Sequence, residues 1–355
     1  MLRLKKILKI VGALLLLAIV LFLGLFFFSS RFNFYVHTKG NAFIERAYEY
    51  RAVLAKDNEP GVGPGNAIAQ PQNPAEFSFA VMGDTQMFNA PNAISLQSGN
   101  FRQAVSEIQA RNPNIVMTVG DLIQSCHDNV SCDAYRMWKN IARPLLPITF
   151  EVMGNHDHQG GNLSDSQWRN YFNVPTNGPT GYQKLTYSFN YGNAHFVVLD
   201  SEHPFHEVDQ TQQAWLDADL TNNKLPNVFV FWHEPAWPMA YKKKQSLDLH
   251  SGLRNSLWSI IDRHNVTAVF NGHEHIFSIA KVDQSIFPKA TNSIYQIVSG
   301  HVDAPIKPNP TISPHAQYSY ENGNYLIVNV SGQNVTLDLY AIATNQLVKS
   351  FNISK

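Results

Sequence analysis

The chain has 355 residues, of which 44% are hydrophobic and 15% charged, and its formal net charge is zero. This composition suits a globular protein with a substantial core, in one large domain or two ordinary ones. Because four basic residues fall within the first nine positions, the remainder is slightly acidic, which excludes a general basic surface for nucleic acid.

The N-terminus carries an uncharged apolar run, residues 10–28, behind a basic flank. A helix of this length spans roughly 28 Å, close to the thickness of the hydrocarbon core of a bilayer. We therefore predict a transmembrane signal-anchor in residues 1–30, with the basic flank cytoplasmic and the rest of the chain extracytoplasmic, either periplasmic or extracellular. The alternative is a cleaved signal peptide, but its apolar region would be shorter and FFFSSRFNF is a poor cleavage site.

Residues 31–75 are predicted to form a juxtamembrane helix and a linker. Residues 40–56 fit a short amphipathic helix, and residues 58–76 are rich in Pro, Gly, Asn and Gln. The main domain is therefore expected at residues 76–355.

From residue 76 onwards, short apolar runs alternate with helix-like stretches. The lengths of the runs and their Val, Ile and Phe content favour buried strands, and alternation with helices predicts an α/β architecture. We expect strands at 77–83, 114–120, 148–154, 194–200, 227–233, 266–272 and 293–300, and helices at 99–111, 134–143, 209–221 and 250–264. The tail, 325–354, alternates polar and apolar residues and predicts an antiparallel meander, expected as a second sheet packed on the first.

Five of the predicted strands end in side chains that commonly bind metals. A lone Gly-Asp is usually a turn and a lone His is usually structural, but ligands in α/β sheets bind beyond the carboxyl ends of strands. Carboxylates, amide oxygens and imidazoles without cysteine suit two divalent ions, with Mn, Fe or Zn favoured and Mg as a further option. In chain order these side chains are Asp84 and Gln86, Asp121, Asn155 with His156 and Asp157, His233, and His273 with His275.

The order of these motifs, GD-x-Q, GD, GNHD, H and GHEH, resembles the calcineurin-like metallophosphoesterases over roughly residues 76–355. This resemblance implies a two-sheet α/β/β/α sandwich and a site for two divalent metal ions. One ion would be held by Asp84, Gln86 and His275, the other by Asn155, His233 and His273, with Asp121 bridging them.

The resemblance also assigns catalytic roles beside the ions. It implies that His156 is the general acid of ester hydrolysis by a hydroxide bridging the two metals. Asp157 either orients an imidazole or holds a turn. His158, His203 and His206 lie in loops near the predicted site and are expected at the surface, the alternative being that one of them contacts substrate.

Two positions depart from the family pattern. Gln86 replaces a histidine, which should shift metal preference toward Mn or Mg because its ligand atom is an oxygen. Gln124 stands where the purple acid phosphatase branch has tyrosine, so an iron–tyrosinate site is not expected. The protein phosphatase branch has Asp at that position and Arg after it. Both are missing here, so Ser/Thr protein phosphatase activity is not expected.

We therefore predict a membrane-anchored extracytoplasmic phosphoesterase acting on small-molecule or lipid phosphate esters. One alternative is a catalytically inactive binding or scaffold protein of the same fold, which Gln86 favours and the intact ligand set disfavours. Another is a dinuclear hydrolase of a non-phosphate bond. Cys126 and Cys132 are either a disulfide pair, as an exported protein allows, or two free thiols.

Overall fold

The structure is a computed structural model that describes residues 64, 70, 72–87, 98–304 and 310–355. The predicted anchor, residues 1–30, and most of the predicted linker region, residues 31–75, lie outside these ranges. Within the described ranges, no helix combines the length and the apolar character needed to cross a bilayer.

The main domain is built from strands and helices that largely alternate along its first two hundred residues. The helices are α1 (Ser98–Arg111), α2 (Asn129–Cys132), α3 (Ala134–Ala142), α4 (Asn162–Tyr171), α5 (Gln210–Asn222) and α6 (Ser251–Arg263). In the part of the chain that the structure describes, 3-10 helices span Leu146–Ile148 and Leu247–His250. The strands are β1 (Glu76–Met82), β2 (Ile115–Thr118), β3 (Thr149–Phe150), β4 (Tyr187–Tyr191), β5 (Ala194–Val198), β6 (Asn227–Phe231), β7 (Ala268–Asn271), β8 (Phe277–Val282), β9 (Ile294–Ser299), β10 (Tyr318–Tyr320), β11 (Asn324–Ser331), β12 (Asn334–Ala341) and β13 (Gln346–Asn352).

These strands form two mixed sheets. The first has the order β13-β12-β11-β1-β2-β3, and the second has the order β10-β8-β9-β7-β6-β5-β4. In each sheet the strands that lead to the predicted ligands lie within a parallel part, which is β1-β2-β3 in the first sheet and β5-β6-β7-β9 in the second. Antiparallel strands extend each sheet outward from this parallel part.

The two sheets pack face to face, and helices cover their outer faces. Side chains alternate along β1, so that Phe77, Phe79 and Val81 enter the core between the sheets while Ala80 and Met82 face helices α1, α3 and α4. A third core lies between the second sheet and helices α5 and α6. The predicted α/β/β/α sandwich is thus confirmed for the main domain.

The tail meander is confirmed, but the expectation that it forms a separate sheet is wrong. β11 pairs antiparallel with β1, with Phe79 opposite Val328, so β11, β12 and β13 continue the first sheet. β11 is buried on both faces over most of its length, as a strand inside a sheet must be. The second sheet comes instead from the middle of the chain.

Candidate metal centre

The predicted ligands lie just beyond the ends of five strands. Asp84 and Gln86 follow β1 and Asp121 follows β2, while Asn155 lies five residues past the two-residue strand β3. His233 follows β6, and His273 and His275 follow β7. Because the strands run parallel within each sheet, their carboxyl ends meet at one edge, and the two sheets contribute ligands from opposite sides.

The turns that carry these ligands have unusual backbone conformations. Asp84, Gln86, Asp121 and His273 have φ angles of 53°, 41°, 53° and 71°, in the left-handed region that non-glycine residues rarely adopt. Such conformations cost roughly 1–3 kcal/mol each and persist where surrounding contacts fix them. Here the turns hold one another, since the amide of Asp84 donates to Gly120 O at 3.0 Å and that of Gln86 to Asp121 O at 2.9 Å.

Glycines let the strands' ends approach closely. A Cβ at Gly120, whose φ is +94°, would collide with the His233 imidazole. A Cβ at Gly272 would collide with the Asp84 carboxylate. The glycines of the GD and GHEH motifs therefore make room for the ligands beside them.

One group of donor atoms comes from Asp121, His233 and His273, which lie within 4.8 Å of one another. His233 Nε2 is 3.3 Å from Asp121 Oδ1. Asn155 Oδ1 lies between the imidazoles, 3.1 Å from His233 Nε2 and 2.8 Å from His273 Nδ1. The set predicted for one ion is thus assembled around a common point.

A second group comes from Asp84, Asp121 and His275, also within 4.8 Å of one another. His275 Nε2 is 3.6 Å from Asp84 Oδ1. The side-chain amide of Gln86 is 3.3 Å from both Asp121 Oδ2 and His275 Nε2, and a half-turn of that amide would present its carbonyl oxygen there. Asp121 belongs to both groups, as a bridging carboxylate must.

The electrostatics of the carboxylates fit bound cations. Among the described residues, Asp84 Oδ2 is buried without a hydrogen-bond partner, which is costly for a carboxylate. Burial raises the pKa of Asp84 well above its ordinary value. Burial acts the same way on Asp121, but the neighbouring His233 outweighs it and holds the pKa of that carboxyl low. The residues therefore fit divalent cations, which would satisfy the unpaired oxygen.

Backbone carbonyls orient two of the imidazoles. His233 Nδ1 is 2.7 Å from Val119 O, and His273 Nε2 is 2.7 Å from Gln245 O. Each ring thereby donates its outer N–H and turns the other nitrogen toward the carboxylates. Burial and the nearby His233 hold the pKa of His273 well below its ordinary value, as a neutral ligand requires.

His156 stands at the rim of this centre. Its Nδ1 is 2.7 Å from Gln124 O and 3.2 Å from the side-chain amides of Gln124 and Gln159. Its Nε2 is 3.9 Å from Asp121 Oδ2, and its backbone amide donates to Asp121 Oδ1 at 2.9 Å. The ring is thus fixed through one nitrogen and directs the other toward the site.

Asp157 holds the turns together. Its buried carboxylate accepts the backbone amides of Gly154, Leu122 and Ile123 and the hydroxyl of Tyr135, at 2.9–3.3 Å. Burial, reinforced by Asp121, raises the pKa of Asp157 to about 7. These contacts favour turn-holding over orientation of the His156 imidazole.

Sequence reasoning missed the role of Glu274, the residue between the two histidines of GHEH. Its buried carboxylate accepts the backbone amides of Met239, Ala240, Tyr241 and Lys242, at 2.6–3.3 Å. Lys242 thereby comes within Coulombic range of Asp84 and His273. The sequence did contain one clue: Glu274 stands between two predicted ligands, where its side chain is expected to be buried with them.

A disulfide joins Cys126 and Cys132, so the first of the two alternatives for these residues is confirmed. Their Cα atoms are 4.3 Å apart. The bridge closes the loop that follows the second motif, next to Gln124.

Comparison with known proteins agrees with this geometry. Residues 77–277 match the calcineurin-like phosphoesterase family. The chain is 25% identical over 244 residues to Purple acid phosphatase 13 of Arabidopsis thaliana, covering 56% of this chain and 44% of that protein. It is 24% identical over 242 residues to the Phosphoenolpyruvate phosphatase of Allium cepa, covering 64% and 45%. The chain thus spans less than half the length of these curated relatives.

Two solved structures share the fold. The purple acid phosphatase PPD1 from yellow lupin seeds superposes with a TM-score of 0.66 at 17% identity, covering 81% of this chain and 55% of that one. GAP50, the anchor in the inner membrane complex of Plasmodium, superposes with a TM-score of 0.60 at 11% identity, covering 79% and 89%.

Proposed function

Because the chain belongs to the calcineurin-like phosphoesterases, we propose that it is a dinuclear metal-dependent phosphatase, anchored by its N-terminus with the catalytic domain outside the cytoplasm. The observation that carries this proposal is the pair of buried ligand groups that share Asp121. A binding or scaffold protein has no need of both groups together with an oriented His156.

Two divalent ions bound there would neutralise phosphoryl oxygens and make a water nucleophilic at neutral pH. The chain's own residues set the rest of the chemistry. With Nδ1–H donated to Gln124 O, the His156 ring can carry a second proton on Nε2, the atom that faces the site. That proton goes to the departing ester oxygen, the role of a general acid.

The position of Lys242 supports the proposal that the substrate is an anion. It is half-buried, and its charge lies near Asp84 and His273 because Glu274 fixes the backbone of its loop. An ammonium at the rim of a metal site attracts phosphate as a point charge. Two relatives are named as phosphatases, one of them for phosphoenolpyruvate, and these names support a phosphomonoester substrate. Small-molecule and lipid esters both fit this chemistry.

Two features support the extracytoplasmic location. The Cys126–Cys132 disulfide persists in oxidising compartments and is rare in the cytosol of most organisms. The uncharged run at 10–28 follows a basic flank, the arrangement of a signal-anchor. Protease treatment of intact cells or spheroplasts tests this directly, since the main domain should be digested without lysis.

The activity is tested with the full-length chain purified in detergent, stripped of metal and resupplied with Mn, Zn, Fe or Mg. The substrates are p-nitrophenyl phosphate and its bis-ester. The variants are Asp121→Ala and the control His264→Ala, which alters a partly buried histidine paired with Asp217. We expect metal-dependent monoester turnover that Asp121→Ala abolishes and His264→Ala preserves. Two bound ions without turnover of either ester would overturn the proposal in favour of a binding protein.

A further inference from the structure

A second group of histidines and a carboxylate lies outside the metal centre. His158, Asp165 and His203 each offer one donor atom, and these atoms lie within 4.8 Å of one another. They come from the loop after GNHD, the first turns of α4 and the loop after β5. None of the three belongs to the residues assigned to the two ions above.

The spacing of the donor atoms matches a metal polyhedron. His158 Nδ1 is 3.0 Å from Asp165 Oδ1, and His203 Nδ1 is 3.7 Å from Asp165 Oδ2. In tetrahedral zinc, with bonds of about 2.0–2.1 Å, neighbouring ligand atoms lie about 3.3–3.4 Å apart. The two observed distances, each to a different oxygen of the carboxylate, lie on either side of that value. The ring centroids of the two histidines are 5.1 Å apart, and each ring presents its Nδ1 to the carboxylate.

The group is enclosed and incompletely satisfied. The side chains of His158 and Asp165 are 5% and 7% exposed, so the expectation of a surface position for His158 is wrong. His203, 42% exposed, leaves the group open on one side, yet its Nδ1 is buried and has no hydrogen-bond partner among the described residues. A nitrogen held in this state next to a carboxylate is suited to a cation.

The surrounding charge is negative. Asp200 and Glu202 are fully buried, each has an oxygen without a partner within the described ranges, and both lie in Coulombic range of His158. Asp200 is also within Coulombic range of Asp165 and His203. The guanidinium of Arg169 lies 3.8 Å from Asp165 and also donates to the carbonyls of Gly181 and Gln183.

We propose that His158, Asp165 and His203 form a third metal site, separate from the dinuclear centre, that takes one zinc ion. Two imidazoles and a carboxylate are a typical zinc donor set, and three protein ligands leave the fourth position to water. The ion would tie the loop that carries His156 to α4 and to the loop after β5. A proton shared by His158 and Asp165 is the competing occupant, and a metal count separates the two.

The test measures zinc bound to the full-length chain in detergent, after dialysis against micromolar free zinc, by elemental analysis. We expect three ions per chain in the wild type and one fewer in His203→Ala and Asp165→Asn. The matched control is His264→Ala, because Asp217 is likewise flanked by a histidine and an arginine, His264 and Arg263, but has no second histidine. It should bind as much zinc as the wild type.

Failure of this site is distinguishable from failure of the dinuclear centre. In an Asp121→Ala background we expect zinc to remain at the third site, with an X-ray absorption spectrum of two imidazoles and oxygen ligands. Adding His203→Ala should remove it. If His203→Ala and Asp165→Asn retain the full wild-type count, or if no zinc remains in Asp121→Ala, the proposal is wrong whatever the hydrolase activity. His203 is partly exposed, so its truncation should preserve the fold, which a melting curve checks.

Discussion

At the scale of single residues, His156 differs from the assigned metal ligands because it contacts one of them, Asp121, but is not itself assigned as a ligand. Its backbone amide holds Asp121 while its ring is held by Gln124. Catalysis by such a group depends on the leaving group, since only a basic alkoxide needs a proton.

His156→Ala should therefore lower kcat for an alkyl phosphate by about 10²–10⁴-fold, but much less for p-nitrophenyl phosphate, whose leaving group is stable as an anion. Initial rates on both esters measure this, with metal content as the control because His156 is not assigned as a ligand. An equal loss on both esters would contradict the role of general acid.

The presence of Gln124 in place of a tyrosine affects the expected visible absorption of the iron-loaded protein. It occupies the position of the tyrosine in the purple acid phosphatase branch, and its amide contacts His156, 3.2 Å away. We expect the iron-loaded protein to lack the visible charge-transfer band of an iron–tyrosinate pair. An absorption spectrum of the ferric protein checks this, and a purple colour would refute it.

Glu151, four residues before the ligand Asn155, is a buried acid that the site does not use. Neither of its carboxylate oxygens has a partner among the described residues, and burial raises its pKa from 4.5 to about 8. Between pH 4.5 and about pH 8 the folded protein therefore holds a proton on Glu151 that the unfolded chain has lost. The free energy of unfolding should fall as the pH rises through this range, by up to about 1.4 kcal/mol per pH unit.

Glu151→Gln should remove this dependence, leaving stability unchanged near pH 4 and raising it at pH 8. Urea unfolding at a series of pH values measures the difference between variant and wild type. Glu321→Gln, at an exposed position, is the control and should follow the wild type. Parallel curves for Glu151→Gln and wild type would contradict the assignment.

At the scale of elements, the loop of residues 239–246 is fixed to the site rather than free. Glu274 accepts four of its amides, and Gln245 O holds His273. Lys242→Ala should raise KM about tenfold, the value of one charge-assisted contact, with a smaller change in kcat. Lys244→Ala, in the same loop but exposed, is the matched control and should leave KM unchanged.

The site was more predictable from the sequence than the sheets were. Asp84, Asp121 and His233 stand directly after apolar runs, and the carboxyl ends of such strands are where α/β proteins bind ligands. The partner of β1 was not predictable, because β11 pairs with it through backbone hydrogen bonds, which every residue except proline can form whatever its side chain. β4, β8, β10 and α4 were also missed. β4 and β10 are the two edges of the second sheet, and edge strands have weak periodicity.

Glu274 and the loop it holds illustrate the same limit. The motif GHEH marks its histidines as ligands, but the partners of the glutamate lie more than thirty residues earlier in the chain. A contact of this kind depends on the folded path of a loop, which composition does not encode.

At the scale of the whole molecule, the candidate metal centre draws on both sheets. Asp84 and Asp121 follow strands of the first sheet, and His233 and His275 follow strands of the second, so bound ions would link both sides of the central core. Ligands that bind only the folded state stabilise it, by about 4 kcal/mol at a thousandfold excess over Kd.

Metal removal should therefore lower Tm by several degrees, and resupply should restore it. Calorimetry with and without chelator measures the shift. Asp121→Ala, which lacks the bridging carboxylate, should show a much smaller response. A chelator response as large in Asp121→Ala as in wild type would mean that the stabilising ions bind elsewhere.

The pairing of β1 with β11 also has a consequence for the order of events during biosynthesis. The ribosome completes β1 almost 250 residues before β11, and the last assigned ligand, His275, emerges only shortly before β11 does. Non-local pairing of this kind delays closure of a core until both partners are present. We therefore expect a nascent chain that still lacks β11 to have an incomplete core and no formed metal centre. If the chain is exported before it folds, the ions it acquires are those of the compartment where it arrives.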